Sequence, residues 1–212
     1  MRKFMKKAIY GLIGLVIGAG LTLGILCLCG QDAADRLLFG CCGEEENVLS
    51  AGSEAVLLSY EAAAAIRDGD FEALSDLVHP ELGLVVTPFS TVNLSSDRWF
   101  TAEETAILGS DSTKYIWGVD PRTGSVIELP AGEFFSRYIY DHEYASASAA
   151  GLNTVIAQGN ALENVTEVFP DAVFVDLHDA GQDGKWSTLR LVFEESAEGL
   201  KLVALIHSAY TI

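Results

Sequence analysis

Residues 172–212 read AVFVDLHDAGQDGKWSTLRLVFEESAEGLKLVALIHSAYTI. Ala172 to His178 alternates, which puts Val173, Val175 and Leu177 on one face of a strand and Phe174, Asp176 and His178 on the other. The first set is the expected core face. Asp176 and His178 are expected to face solvent, or the mouth of a cone if the sheet curls. Trp186 to Glu195 and Leu200 to Ile212 flank Ser196-Ala197-Glu198-Gly199, which predicts a hairpin of two long strands. Strict alternation in the last strand groups Val203, Leu205, His207 and Ala209 against Leu202, Ala204, Ile206, Ser208 and Tyr210.

Upstream of this sheet the pattern is mixed. Thr154 to Gln158 reads as a short strand. Lys114 to Val119 and Ser125 to Leu129 read as strands joined across the turn residues Asp120 to Gly124. Pro130 suits the first turn of a helix, with Phe134, Phe135, Tyr138 and Ile139 inward. Thr101-Ala102-Glu103-Glu104 has capping-box spacing and predicts a short helix ending near Gly109. Leu82 to Asn93 reads as a strand interrupted at Pro88. Before it, Ser53 is the expected cap of a helix with the stripe Val56, Leu57, Tyr60, Ala64 and Ile66, ended by Gly69. Asp70 starts a second helix bearing Phe71, Leu74, Leu77 and Val78, stopped by Pro80. The order predicts an α+β domain over residues 53–212, with helices packed on a curved, cone-like antiparallel sheet.

The first 52 residues have a different composition. Ala8 to Cys29 is 22 residues without a charge, a helical rise of about 33 Å against a bilayer core of roughly 30 Å. Arg2, Lys3, Lys6 and Lys7 precede it, and Asp32, Asp35 and Glu44 to Glu46 follow. This asymmetry predicts an N-terminus inside and the rest outside the cytoplasm. Residues 1–30 are therefore expected to be a transmembrane anchor contacting the lipid bilayer through residues 8–29. A lipoprotein signal or a cleaved signal segment are the alternatives. Residues 31–52 are the expected linker.

The exported part carries nine Lys and Arg against thirty Asp and Glu, an acidity that excludes nucleic acid as a partner of its general field. All four cysteines, Cys27, Cys29, Cys41 and Cys42, precede the domain, so it has no disulfide framework, thiolate zinc site or cysteine nucleophile. No cofactor motif, phosphate loop or compact metal-ligand spacing is present.

Several stretches resemble an uncharacterised family of bacterial surface proteins and lipoproteins. They are Phe71-Glu72-Ala73-Leu74-Ser75-Asp76-Leu77-Val78-His79-Pro80 with Gly83 and Thr87-Pro88-Phe89; Tyr115-Ile116-Trp117-Gly118 with Phe134-Phe135-Ser136-Arg137-Tyr138; Ser187 to Glu194; and Leu202 to Ile212. The resemblance spans residues 55–212. It implies an extracytoplasmic location, mainly in Gram-positive bacteria, with no established activity. The element order also resembles the cone-shaped fold of nuclear transport factor 2 and ketosteroid isomerase. The chain departs from the family pattern at Leu84 and Val85, where a basic residue is expected, and at Ser208, Ala209 and Tyr210, where Asp, Gln and Trp are expected.

His207 is the foremost candidate for chemistry, because an imidazole among such apolar neighbours is expected to be at least partly buried and to need partners. Arg190, on the neighbouring hairpin strand, is expected near it. In a cone-fold isomerase or hydratase, a base such as His207 would sit in an apolar pocket lined by Tyr210, Tyr138 or Trp117. The leading expectation is different: a binding or sensing domain for a small-molecule or cell-envelope ligand, with those five residues as binding candidates and no confident catalytic residue. A structural partner of another membrane protein is the third reading. His79 is expected to serve the end of its helix.

Overall fold

A computed structural model describes residues 42–121, 123–182 and 184–210, with side chains from residue 51 onward. The anchor predicted over residues 8–29 lies outside the described residues. Among the described residues no helix is long and apolar enough to cross a membrane.

The first helix, α1 (Cys42–Asp68), begins inside the stretch expected to be a linker, so Ser53 is an interior helical residue and not a cap. No proline interrupts 42–68, and Gly43 and Gly52 cost a helix only about 1 kcal/mol each. Its buried face is Ala55, Ser59, Ala62, Ala63 and Ile66, spaced as one helical stripe. Leu57, expected on that stripe, is 71% exposed. Ala55, Ala62, Ala63 and Ile66 share one buried cluster with Val175, Leu177, Leu189 and Leu191 of the sheet. The second helix, α2 (Phe71–Leu77), is capped as expected: the Asp70 carboxylate accepts from the Ala73 N–H at 3.0 Å.

Then follow β1 (Leu84–Thr87), β2 (Arg98–Phe100), α3 (Ala102–Ile107), β3 (Lys114–Val119), β4 (Val126–Pro130) and α4 (Ala131–Phe134). Both halves of the Thr101–Glu104 capping box form, at 2.9 and 3.1 Å. The helix after Pro130 is shorter than expected. It widens into a π-helical turn over Phe135–Ile139, closed by the Tyr140 N–H donating to the Phe135 carbonyl at 2.8 Å. The remainder is β5 (Ala149–Leu152), α5 (Val165–Val168), β6 (Val173–Asp179), β7 (Ser187–Ser196) and β8 (Gly199–Ala209). Thr154 to Gln158 is not a strand; the edge strand beside β6 is Ala149–Leu152.

Six strands form one sheet in the order β2-β1-β8-β7-β6-β5, and β3 and β4 form a separate hairpin. The sheet is antiparallel except where β1 runs parallel to β8. The hairpin predicted from residues 186–212 is present, with Glu195 paired to Leu200. Strict alternation along β8 fails at one point. Val192 pairs with Ala204 and Phe193 with Leu202, so Val203 is an extra residue in the ladder. The bulge moves Val203 to the face of Ala204 and Ile206, and returns Leu202 to the face of Leu205.

The sheet is buried on both sides. One face carries Val175, Leu177, Leu189, Leu191, Phe193 and Leu205 and packs under the helices. The other carries Phe174, Val192, Val203, Ala204 and Ile206, under Val92, Val155, Val165, Val168 and Phe169. A strap over residues 153–172 and the loop after β1 thus cover the face that alternation left open. They are tied together: the Asn164 side chain donates to the Val92 carbonyl at 2.9 Å and accepts from the Val92 N–H at 2.8 Å.

Candidate functional site

His207 lies on the helix-covered face of β8, 8% exposed. The π-helical turn ends just before Asp141 and delivers its carboxylate to the imidazole. His207 Nε2 is 3.0 Å from Asp141 Oδ1 and 3.0 Å from Ser187 Oγ. The Tyr144 hydroxyl, fully buried, closes the cluster at 2.6 Å from Asp141 and 2.7 Å from Ser187. His142 Nδ1 lies 3.1 Å from the same carboxylate oxygen, but without hydrogen-bond geometry. Ser, His and Asp meet here, yet not as a hydrolytic triad. A triad holds nucleophile and carboxylate on opposite ring nitrogens, and here both face Nε2, with Ser187 fully buried. This is a closed polar network that fixes the chain between the π turn and the sheet.

Burial alone would raise the Asp141 pKa. The hydrogen bond and charge interaction with His207, then the Tyr144 hydrogen bond, outweigh it and hold the carboxyl well below the usual carboxylate range. Burial, then the Asp141 charge, pushes the Tyr144 hydroxyl far above its ordinary value, so it remains a donor. A depressed carboxyl stabilises the fold above its unfolded pKa of about 3.9, and that stability is lost as pH falls through the lower folded value. Asp141→Asn is therefore expected to flatten the loss of unfolding free energy between pH 5 and pH 2, read by urea denaturation. An unchanged slope would mean that the carboxylate is not held by this network.

Arg190 is not near this cluster. It sits on the opposite face of the sheet, paired in register with Ile206 and Asp176, while His207 pairs with Leu189. Arg190 is fully buried. It forks onto Asp176 through Nε at 2.6 Å and Nη2 at 3.0 Å, and Nη1 donates to Glu163 on the strap. Asp176, expected toward solvent, is fully buried and also accepts the Ile156 N–H at 3.1 Å. Burial pushes its carboxyl up, and Glu163 adds to this, because two carboxylates share one guanidinium. The two carboxylates hold Arg190 charged against its own burial.

Trp117 and Tyr138 are core aromatics and line no pocket with His207. Trp117 is 3% exposed, stacks flat on Phe134 at 3.7 Å and donates from Nε1 to the Leu129 carbonyl at 2.9 Å. Tyr138 stacks on Phe134 at 5.5 Å. Tyr210 is half exposed beyond β8, its N–H on the Trp186 carbonyl. The five candidates are thus dispersed over both faces and one end of the sheet. His79 is a structural hub: Nδ1 accepts from the Glu81 and Leu82 N–H groups at 3.2 and 3.0 Å, which leaves the proton on Nε2, 3.3 Å from the Glu195 carbonyl. His178 Nδ1 is 2.8 Å from Thr188 Oγ1. Among the described residues no group of His, Cys, Asp or Glu could hold a metal ion.

One concave feature among the described residues, lined mainly by apolar side chains, is on the strap-covered face. A groove of about 370 Å³ runs between Val168 and Phe169 of the strap and Leu94, Asp97 and Trp99, floored by Val85 and Val203 and flanked by Leu82 and Glu194. That volume is in the range of small-molecule sites. Trp99 is 51% exposed yet fixed, donating from Nε1 to the Leu82 carbonyl at 2.5 Å. Gly83 (φ +67°) makes this seat possible: a Cβ there would stand 2.5 Å from the Phe100 carbonyl and 2.7 Å from the Trp99 ring. The bulge at Val203 turns that side chain into the groove floor. Sequence reading missed this site because its walls meet only where the strap closes on the loop after β1 and on β2, a pairing that no local pattern announces. The signal was present in Val165, Val168 and Phe169, apolar residues with no assigned partner.

No family model matches this chain. No curated protein matches it either. Among solved structures, it is similar to an NTF2-like protein with a cystatin-like fold from Novosphingobium aromaticivorans, at 14% identity and TM-score 0.38, covering 81% of this chain and 89% of that one. A candidate dehydratase of the NTF2-like family from Streptomyces avermitilis aligns at 17% identity and TM-score 0.29, over 75% of this chain and 96% of that one. Superpositions this loose carry no residue from those proteins onto this one.

Proposed function

We propose that this chain holds a ligand-binding domain on the outer side of a membrane, and that the groove beside Trp99 is its binding surface. The observation that carries the reading is a large aromatic side chain, half exposed and held rigid, on the wall of an apolar groove. The location rests on the uncharged stretch 8–29 and the basic residues on one flank only. Cleavage of the domain by protease added to intact cells supports that location, and full protection refutes it. The five residues first considered for binding give way to Trp99, Phe169 and Val203. The isomerase-like alternative needs His207 facing a void, and the imidazole is packed against Asp141 and Ser187.

The test is a thermal-shift screen of the full chain in detergent against metabolites and peptidoglycan fragments. The expected result is a compound that raises the melting temperature of the wild type and not of Trp99→Ala. Turnover of a small substrate, abolished by His207→Gln and untouched by Trp99→Ala, would overturn the reading.

A further inference from the structure

The groove has a charge pattern that its apolar lining does not require. Its charged lining residues are Asp97 and Glu194, and no lysine or arginine lines it. The two cations closest in sequence or register are committed elsewhere. Arg98, next to Asp97, donates from Nε to the Ile116 carbonyl at 2.8 Å and lies over the Tyr115 ring at 5.7 Å. Lys201, paired with Glu194 across the hairpin, gives its Nζ to the Asp76 carbonyl at 2.9 Å and sits 3.6 Å from Glu198. Neither Asp97 nor Glu194 has an ion pair among the described residues. Asp97 is partly desolvated, which raises its carboxyl; its Oδ2 accepts the Asn93 N–H at 2.7 Å. A carboxylate held at an apolar surface without a counter-ion gains from any cation that replaces its lost water. An exposed indole also attracts cations.

We propose that the groove takes an organic cation, an ammonium group on an apolar body. The ammonium sits against Asp97 and Glu194 beside the Trp99 indole, and the apolar part lies along Val85, Phe169 and Val203. This inference rests on the reading of the groove as the binding surface. It excludes anionic ligands, which would meet two carboxylates inside a domain already strongly acidic. It also excludes a bare metal ion, since the lining offers two carboxylates in an otherwise apolar wall and no third ligand.

The experiment compares three probes of nearly equal size on the full chain by ligand-observed NMR titration: phenethylamine, 2-phenylethanol and phenylacetate. Phenethylamine is expected to bind at least tenfold tighter than the other two, with the advantage shrinking as salt is raised. Asp97→Asn, which keeps an acceptor for the Asn93 N–H, and Glu194→Gln are each expected to weaken phenethylamine about tenfold and leave 2-phenylethanol within about twofold. Trp99→Ala is expected to weaken both. Equal binding of all three probes, lost in Trp99→Ala, would overturn the cation preference and leave the groove as a ligand site. Binding of none, or binding indifferent to Trp99→Ala, would sink both readings. Self-association abolished by Trp99→Ala, with no probe binding, would overturn them by placing a second copy in the groove.

Discussion

Replacing Arg190 by methionine is expected to cost about 3–5 kcal/mol of unfolding free energy, the loss typical of removing one partner from a buried charge cluster. Methionine fills much the same space, so the loss is not a cavity effect. It comes from Asp176 and Glu163, which would be left as buried carboxylates facing each other with no guanidinium between them. The compensated variant Arg190→Met, Asp176→Leu, Glu163→Met removes all three charges and is expected to regain most of that loss, since buried ion clusters seldom exceed well-packed apolar replacements in stability. Denaturant midpoints of the full chain decide it. A single substitution costing under about 1 kcal/mol would mean that water reaches the cluster and that the strap is not clamped as described.

Truncating Trp117 to alanine is expected to cost about 3–5 kcal/mol, the range for removing a large buried aromatic. The indole touches Phe134 face on and Phe100, Tyr115 and Phe135 at tilted or edge angles, so one deletion unsupports four rings. It also strips the Leu129 carbonyl of its indole donor. Phenylalanine at this position keeps the stack and loses the donor, and about 1–3 kcal/mol is expected. Were Trp117 a ligand contact, alanine would instead weaken binding and leave the denaturation midpoint nearly unchanged. That pattern would reverse its assignment to the core.

These two residues show where the sequence was legible. Trp117 sits in a β-rich stretch and Phe134 in an aromatic helix, which placed both elements correctly. The long hairpin, the Asp70 and Thr101 caps and the β3–β4 pair were readable because each depends on neighbours within a few residues. Arg190 and Asp176 were each placed on a strand by the same reasoning, but Arg190 was expected beside His207, and its pairing with Asp176 came only from the structure. Alternation says which face a side chain takes and not what covers that face. The strap over residues 153–172 has no period, and its closure depends on single contacts such as Asn164 with Val92. His207 was rightly expected to be buried with partners. Its partner Asp141 was hidden because a π turn has no sequence signature, and that turn sets where Asp141 arrives. Val203 reached the groove through a bulge that period-two counting cannot anticipate.

β8 lies between β1 and β7, although among the described residues it is the last strand in chain order. A polypeptide emerging from a ribosome or a secretion channel, N-terminal end first, exposes β1 long before its parallel neighbour exists. Until residues 199–209 have emerged, β1 and β7 each present an open hydrogen-bonding edge, and the two apolar layers have no middle strand to rest on. The fold therefore completes in one late step. Holding factors have a reason to stay on the nascent segment until its final strand is threaded between the two that wait for it.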